Sequence, residues 1–260
     1  MSLTEPALTI CRFSRVYEDQ PSVMQEAAHI VDLSDVTGTS CYCDEQAADT
    51  ISRRISGFPL QGIRLIDSGN YHYMSALWMR RQTDPFDLMV FDNHTDMQEP
   101  AFGRILSCGG WIAWALETQP ALRRVFLAGP SAEDFQLLPA RLRERTVFLS
   151  KEALKEERGP EPLSFFDRLE PCVPLYLSID KDILCQEDAI TGWTQGDLRL
   201  EELMRLLGWL RKIRHRDSIP LLGVDVCGEA PEDQPDPYGK NEKANRTLIT
   251  YLRMAWEHVE

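Results

Sequence analysis

The sequence predicts an α/β fold, a mostly parallel sheet with helices on its faces, and three observations carry that prediction. Short apolar runs alternate with longer amphipathic ones along the chain. The apolar runs are nearly continuous, as expected of strands buried on both faces. Acids and histidines gather just past the ends of several runs, where open parallel sheets bind their ligands.

In chain order, Leu8–Cys11 and Ile30–Leu33 read as short strands and Asp44–Ser56 as a helix. The run Gly62–Asp67 (GIRLID) is a strand, followed by a helix over His72–Arg81. Phe86–Phe91 (FDLMVF) is a strand and Gly110–Glu117 a helix. Val125–Ala128 and Thr146–Leu149 are strands, as are Leu175–Ile179 (LYLSI) and Leu221–Val226. Between those last two, Leu200–Ile213 sets Leu200, Leu203, Leu206, Leu207, Leu210 and Ile213 on one face, a core-facing stripe at helical spacing. Ala230–Gly239, rich in Pro, Asp and Glu, reads as a loop before a terminal helix over Lys243–Trp256. No internal repeat or low-complexity linker interrupts this order, so a single domain is expected over residues 1–260.

Composition narrows the setting. The 28 Lys and Arg against 41 Asp and Glu give a net charge of −13. That balance leaves no basic stripe for a nucleic-acid backbone. No apolar run approaches the roughly 18 residues of a membrane span, and the N-terminal stretch lacks the pattern of a secretory signal. Seven cysteines, odd in number and scattered, argue for reduced thiols in the cytoplasm, including the close pair Cys41 and Cys43.

The chemistry concentrates in Asp92-Asn93-His94-Thr95-Asp96. In an extended or loosely turned segment residues 92, 94 and 96 point the same way, which offers two carboxylates and an imidazole to a divalent cation. Asp180-Lys181-Asp182 repeats the device after another strand, and His72 follows a third. One such motif is readily explained by helix capping. Two, with a histidine beside them, are not, because four carboxylates packed together need a cation.

Gly69-Asn70-Tyr71-His72, the segment Asp92–Asp96, and Ser178-Ile179-Asp180-Lys181-Asp182 resemble, in order, three signature blocks of the ureohydrolases. This is the arginase, agmatinase and formiminoglutamase family. Its blocks run Gly-Gly-Asp-His, Asp-Ala-His-x-Asp and Ser-x-Asp-x-Asp, and the likeness spans about residues 60 to 230. The resemblance implies a three-layer α/β/α sandwich and a site for two Mn²⁺ ions. One ion would take His72, Asp92, Asp96 and Asp180, and the other Asp92, His94, Asp180 and Asp182. A hydroxide bridging the pair would cleave a C–N bond of a guanidino, amidino or formimino small molecule. Fe²⁺, Co²⁺ and Zn²⁺ suit the same donors. The family commonly forms trimers or hexamers, so a homo-oligomer is a further expectation.

Other family marks are altered. Thr194 resembles a threonine that lines the substrate pocket. Glu229 resembles the glutamate that hydrogen-bonds the guanidinium, one residue later than the usual spacing from Asp225. Cys108 stands where a histidine passes a proton to the leaving amine, and its reference pKa of ~8.5 differs from the ~6.5 of histidine. The loop that grips the α-carboxylate of arginine is replaced by Met97–Arg104, in which Arg104 is read as a surface charge. These departures imply an enzyme other than a true arginase. Two alternatives stay open: a metal-binding relative without urea-releasing activity, and an amide deacetylase of related fold, although no His-His pair occurs in the chain. His29, His215 and His258 belong to no motif, and Trp111 and Trp114 read as a packed helix face.

Overall fold

The computed structural model describes residues 6–99, 103, 105–156, 164–234 and 236–256. Arg104 and His258 lie outside the described residues. The strands are β1 (Leu8–Arg12), β2 (His29–Asp32), β3 (Tyr42–Cys43), β4 (Ile63–Ile66), β5 (Phe86–Phe91), β6 (Leu106–Ser107), β7 (Leu122–Ala128), β8 (Thr146–Leu149), β9 (Leu175–Asp180) and β10 (Leu221–Cys227). Eight of them form one sheet in the order β2-β1-β4-β10-β9-β5-β7-β8, and every adjacent pair is parallel. The short β3 and β6 pair antiparallel outside it.

The helices are α1 (Pro21–Glu26), α2 (Glu45–Ile55), α3 (Met74–Met79), α4 (Trp111–Thr118), α5 (Ala132–Gln136), α6 (Ala140–Arg143), α7 (Lys151–Glu156), α8 (Leu200–Arg216) and α9 (Lys240–Trp256). Successive strand side chains point to opposite faces, so each buried strand feeds two cores. Met89 and Phe91 of β5 join Leu203, Leu207 and Leu210 of α8 and Leu248 and Leu252 of α9 in one core. Leu88 and Val90 join Ile51 of α2, Leu77 of α3 and Ile112 of α4 in the other. The result is three layers, helix on sheet on helix. No helix among the described residues is long and apolar enough to cross a membrane.

The long elements form where the sequence predicts them. All six residues of the α8 stripe are buried. Asp44 caps α2 by accepting a hydrogen bond from the Ala47 amide. Several expectations change at their edges: β7 starts three residues before the expected Val125, and α8 runs on to Arg216. The helix expected over His72–Arg81 is shorter, because a 3-10 turn over Gly69–Tyr71 carries the chain into it. The terminal helix begins earlier, at Lys240, where the Asp236 side chain accepts the Asn241 amide. All seven cysteines are free thiols.

The sheet brings four strand ends side by side: β4, β10, β9 and β5 are consecutive neighbours. Their close approach has a backbone requirement at Gly129, just past β7. Its φ is +123°, and a Cβ there would lie 2.0 Å from the Asp92 carbonyl oxygen. Gly129→Ala should therefore cost about 2 kcal/mol or more in chemical denaturation. Gly57→Ala, where a Cβ meets nothing within 4 Å, should stay within about 0.5 kcal/mol. Equal effects of the two changes would contradict the steric argument.

Candidate metal centre

Past β4, β5 and β9 the chain turns sharply, and these three turns deliver polar side chains to one point. The turn after β4 ends in His72. The segment after β5 supplies Asp92, His94 and Asp96, and β9 ends in Asp180 with Asp182 in the 3-10 turn that follows. All six residues line one cavity of about 130 Å³. His72 Nδ1 lies 3.3 Å from Asp92 Oδ2, 3.0 Å from Asp96 Oδ2 and 3.3 Å from Asp180 Oδ2. His94 Nδ1 lies 2.8 Å from Asp182 Oδ2 and 3.6 Å from Asp92 Oδ1. Two donor groups emerge, His72 with Asp92 and Asp96, and Asp92 with His94 and Asp182, each with its atoms within 4.8 Å of one another. Asp92 belongs to both.

Of the extended or loosely turned path expected through residues 92–96, the turn falls at the end. Asp96 has φ +48°, in the left-handed region. The turn still points its carboxylate at His72, and the Trp111 indole N–H donates to Asp96 Oδ2 at 2.6 Å.

A divalent cation fits these donors on their hydrogen bonding alone. Ser178 Oγ donates to Asp225 Oδ1 at 2.5 Å, so its oxygen accepts from His72 Nε2 at 2.9 Å. With its proton on Nε2, a neutral His72 turns the Nδ1 lone pair toward three carboxylates. Nδ1 and Asp92 Oδ2 are both buried without a hydrogen-bond partner among the described residues, a cost that a shared cation removes. Asp225 is itself held by the Tyr176 hydroxyl at 2.8 Å. Such outer hydrogen bonds fix the tautomer and aim of a metal-bound histidine.

The electrostatics show the same crowding of anions. Burial, then the charges of Asp182 and Asp92, push the Asp180 carboxyl well above its usual range. Burial and the Asp92 charge push Asp182 up to about 6. Burial would lower both imidazoles, but the neighbouring aspartates outweigh it and raise His72 and, to about 11, His94. Without a metal, protons serve as the missing positive charge.

Among the altered family positions, Cys108 lines the cavity, at the 3-10 turn that leads into α4. Burial first, and then the Asp96 charge, push its thiol up. Glu229 requires a correction. It is buried and ion-paired with Lys181, it accepts from Asn245 Nδ2 at 2.7 Å and Gln20 Nε2 at 2.8 Å, and it lines a different cavity of about 400 Å³. Thr194 is also corrected. It is exposed, and its carbonyl accepts from Asn93 Nδ2 at 2.8 Å, while its neighbour Trp193 lines the metal cavity.

Sequence reasoning missed Trp111 as a partner of Asp96, because its helical spacing with Trp114 signals packing, which it also does. Trp193 stands edge-on to His94 at 6.2 Å and donates from its indole to Asn70 Oδ1 at 3.0 Å. Cys227, at the end of β10, shares a third donor group with His72 and Asp180. Tyr71 stacks on Phe13, with ring centroids 4.0 Å apart.

No family model matches the sequence. An uncharacterized protein of Thermotoga maritima is 28% identical over 252 residues, covering 95% of this chain and 90% of that one. Among solved structures, the chain is similar to proclavaminate amidino hydrolase from Streptomyces clavuligerus, with a TM-score of 0.72 and 14% identity over 98% of this chain and 93% of the other. It is similar to agmatine ureohydrolase of Thermoplasma volcanium (TM-score 0.66, 14% identity, 97% and 90% covered). It is also similar to arginase from Medicago truncatula (TM-score 0.66, 16% identity, 96% and 86% covered). The chain has the arginase-like α/β fold, at low sequence identity to these enzymes.

The Trp111 contact makes a prediction. Trp111→Phe keeps the packed ring but removes the N–H that aims Asp96, so Mn²⁺ affinity measured by calorimetric titration should fall roughly 10- to 100-fold. An unchanged affinity would reduce Trp111 to a packing residue.

Proposed function

We propose that this chain is a metal-dependent hydrolase of non-peptide C–N bonds in small molecules. Its ligands would be His72, Asp92, Asp96 and Asp180 for one manganese ion, and Asp92, His94, Asp180 and Asp182 for the other. The observation that carries the reading is the convergence of these six side chains, two unpartnered buried atoms among them, in one cavity beyond the strand ends. Oxygen-rich donors with two imidazoles match manganese, and Fe²⁺, Co²⁺ or Zn²⁺ would meet the same atoms. Two such ions supply hydroxide from water near neutral pH and polarise the carbon under attack.

The chain's own residues do the rest. Ser178 and Asp225 hold His72 in the tautomer that ligation needs, and Trp111 holds Asp96. Trp193 and Cys108 both line the cavity as neutral side chains that would border the substrate. The leaving nitrogen must gain a proton as the C–N bond breaks, and Cys108 occupies the wall where a stronger acid–base group would help. The guanidino, amidino and formimino chemistry of the structural relatives is the first substrate class. An amide is the second, favoured by a cavity wall that among the described residues carries no charged side chain beyond the six donors.

Two measurements test the reading. Purified protein should take up about two Mn²⁺ ions, and Asp92→Ala or Asp180→Ala should lose more metal than Asp182→Ala, because the first two would serve both ions. Equal loss in all three would contradict the bridging assignment. The loaded protein should be a poor arginase, and Cys108→His should raise kcat on the C–N substrate it does cleave, within the roughly 10²–10⁴-fold that acid–base help contributes. Arginine turnover at ordinary arginase rates would refute the role given to Cys108. A fully loaded protein that cleaves nothing in a panel of guanidino, formimino and amide compounds would leave a metal-binding protein without catalysis.

A further inference from the structure

Two positions at the end of β10 decide what charge a substrate meets. Gly228 has φ +89°, and a Cβ on it would lie 2.2 Å from Asp180 Oδ1. Just past Cys227, the residue that abuts Asp180 therefore has no side chain and no room for one. The next residue, Glu229, turns the other way. Its Oε1 takes the Lys181 ammonium and the Asn245 amide, and its Oε2 takes the Gln20 amide. Lys181 is fully buried, so swinging Glu229 toward the cavity would strand a buried cation without its partner. An internal ammonium thus occupies this carboxylate.

The rest of the wall is uncharged. Besides the six donors, its side chains are Cys41, Tyr42, Gln98, Ser107, Cys108 and Trp193, with Gly69 and Gly109 between them. Glu99, the next acid along the chain, is paired with Arg141 at 3.0 Å and lines a separate cavity. Residues 100–104 add one ionisable side chain to the sequence, Arg104, which is a cation. A guanidinium carries five N–H donors and a full charge, and burying it calls for a carboxylate. Four aspartates already match two divalent ions in charge, so the loaded cluster offers a cation little further attraction. Beside the Tyr42 and Ser107 hydroxyls and the Trp193 indole, the wall presents the Gln98 carboxamide. It lies beside Gly109, with its Oε1 3.3 Å from where a Cβ would stand. One amide oxygen and one NH₂ complement a neutral group that has both a carbonyl and an N–H.

We infer that the group cleaved at this site is uncharged: a ureido or amide group, or a guanidino group neutralised by an electron-withdrawing substituent, and not an ordinary guanidinium. The inference rests on the hydrolase reading above and selects within it. For a ureido compound the water oxygen bonds to the carbonyl carbon, the C–N bond breaks, and the amine leaves with the proton. The carbamate released then falls to carbon dioxide and ammonia. One water is consumed and no redox partner is needed.

The test uses the full-length protein loaded with Mn²⁺ and matched pairs of substrates that differ only in C=O against C=NH₂⁺. Ureido and guanidino compounds with alkyl, carboxyalkyl and aminoalkyl tails make up the pairs, scored by amine and ammonia release. The ureido member should have a kcat/KM at least tenfold higher in the pairs that react. Gln98→Glu, at an exposed position where folding is not at stake, puts a carboxylate into the wall and should move that ratio at least tenfold toward the guanidino member. A wild-type preference for the guanidino member overturns this inference and leaves the hydrolase reading standing. An unmoved ratio in Gln98→Glu also overturns it, because the wall's charge would then not set the preference. No turnover of any pair, nor of amide, formimino and acylguanidine compounds with the same tails, by protein shown to hold its metal overturns both.

Discussion

Four carboxylates buried within a few ångströms of one another are the constraint on which the rest of this structure depends. Asp92, Asp96, Asp180 and Asp182 are each less than a tenth exposed, and such a set is stable only with positive charge among them. The fold answers by placing β4, β10, β9 and β5 side by side, so that the turns at their ends share one cavity. The hydrogen-bonded chain from His72 through Ser178 to Asp225 follows the sheet register, since Ser178 and Asp225 are direct neighbours across β9 and β10. Strand pairing therefore sets the tautomer of a ligand residue, a link from backbone geometry to coordination chemistry.

The end of β9 sorts charge by side. Asp180 and Asp182 face the cluster, while Lys181 between them faces the opposite way and is buried against Glu229 and Asn245. The strand end and the 3-10 turn after it thus separate an anionic site from an internal ion pair over three consecutive residues. The two sides differ in kind. One balances its charge within the chain and is complete on folding, and the other needs an ion from solution.

Much of this was legible in the sequence. The central strands announced themselves because burial on both faces leaves a plain apolar run, as in Phe86–Phe91. The six donors stood out because two acid motifs directly followed such runs. What the sequence hid was direction and brevity. Glu229 has the residue type of a substrate contact, but the left-handed backbone at Gly228 rotates it out of the cavity, and linear spacing carries no sign of that rotation. Trp193 outranks Thr194 at the cavity for a similar reason, since which of two adjacent loop residues turns inward is set by packing against Gly69. Trp111 was concealed by doing two things at once, filling a core and donating to Asp96. The short elements β3, β6 and α5–α7 span too few residues for any periodicity to register.

The left-handed backbone at Asp96 has a practical meaning for anyone who engineers this protein. A residue other than glycine is held there at φ +48°, so Asp96→Gly relieves backbone strain and lightens the anionic crowding in a single step. Selecting variants for heat tolerance in the absence of metal would therefore drive this position away from aspartate, and the selected proteins would be sturdier and empty. Any campaign to harden the scaffold has to be run with the ions present, so that the ligand's contribution to binding counts against the comfort of the chain.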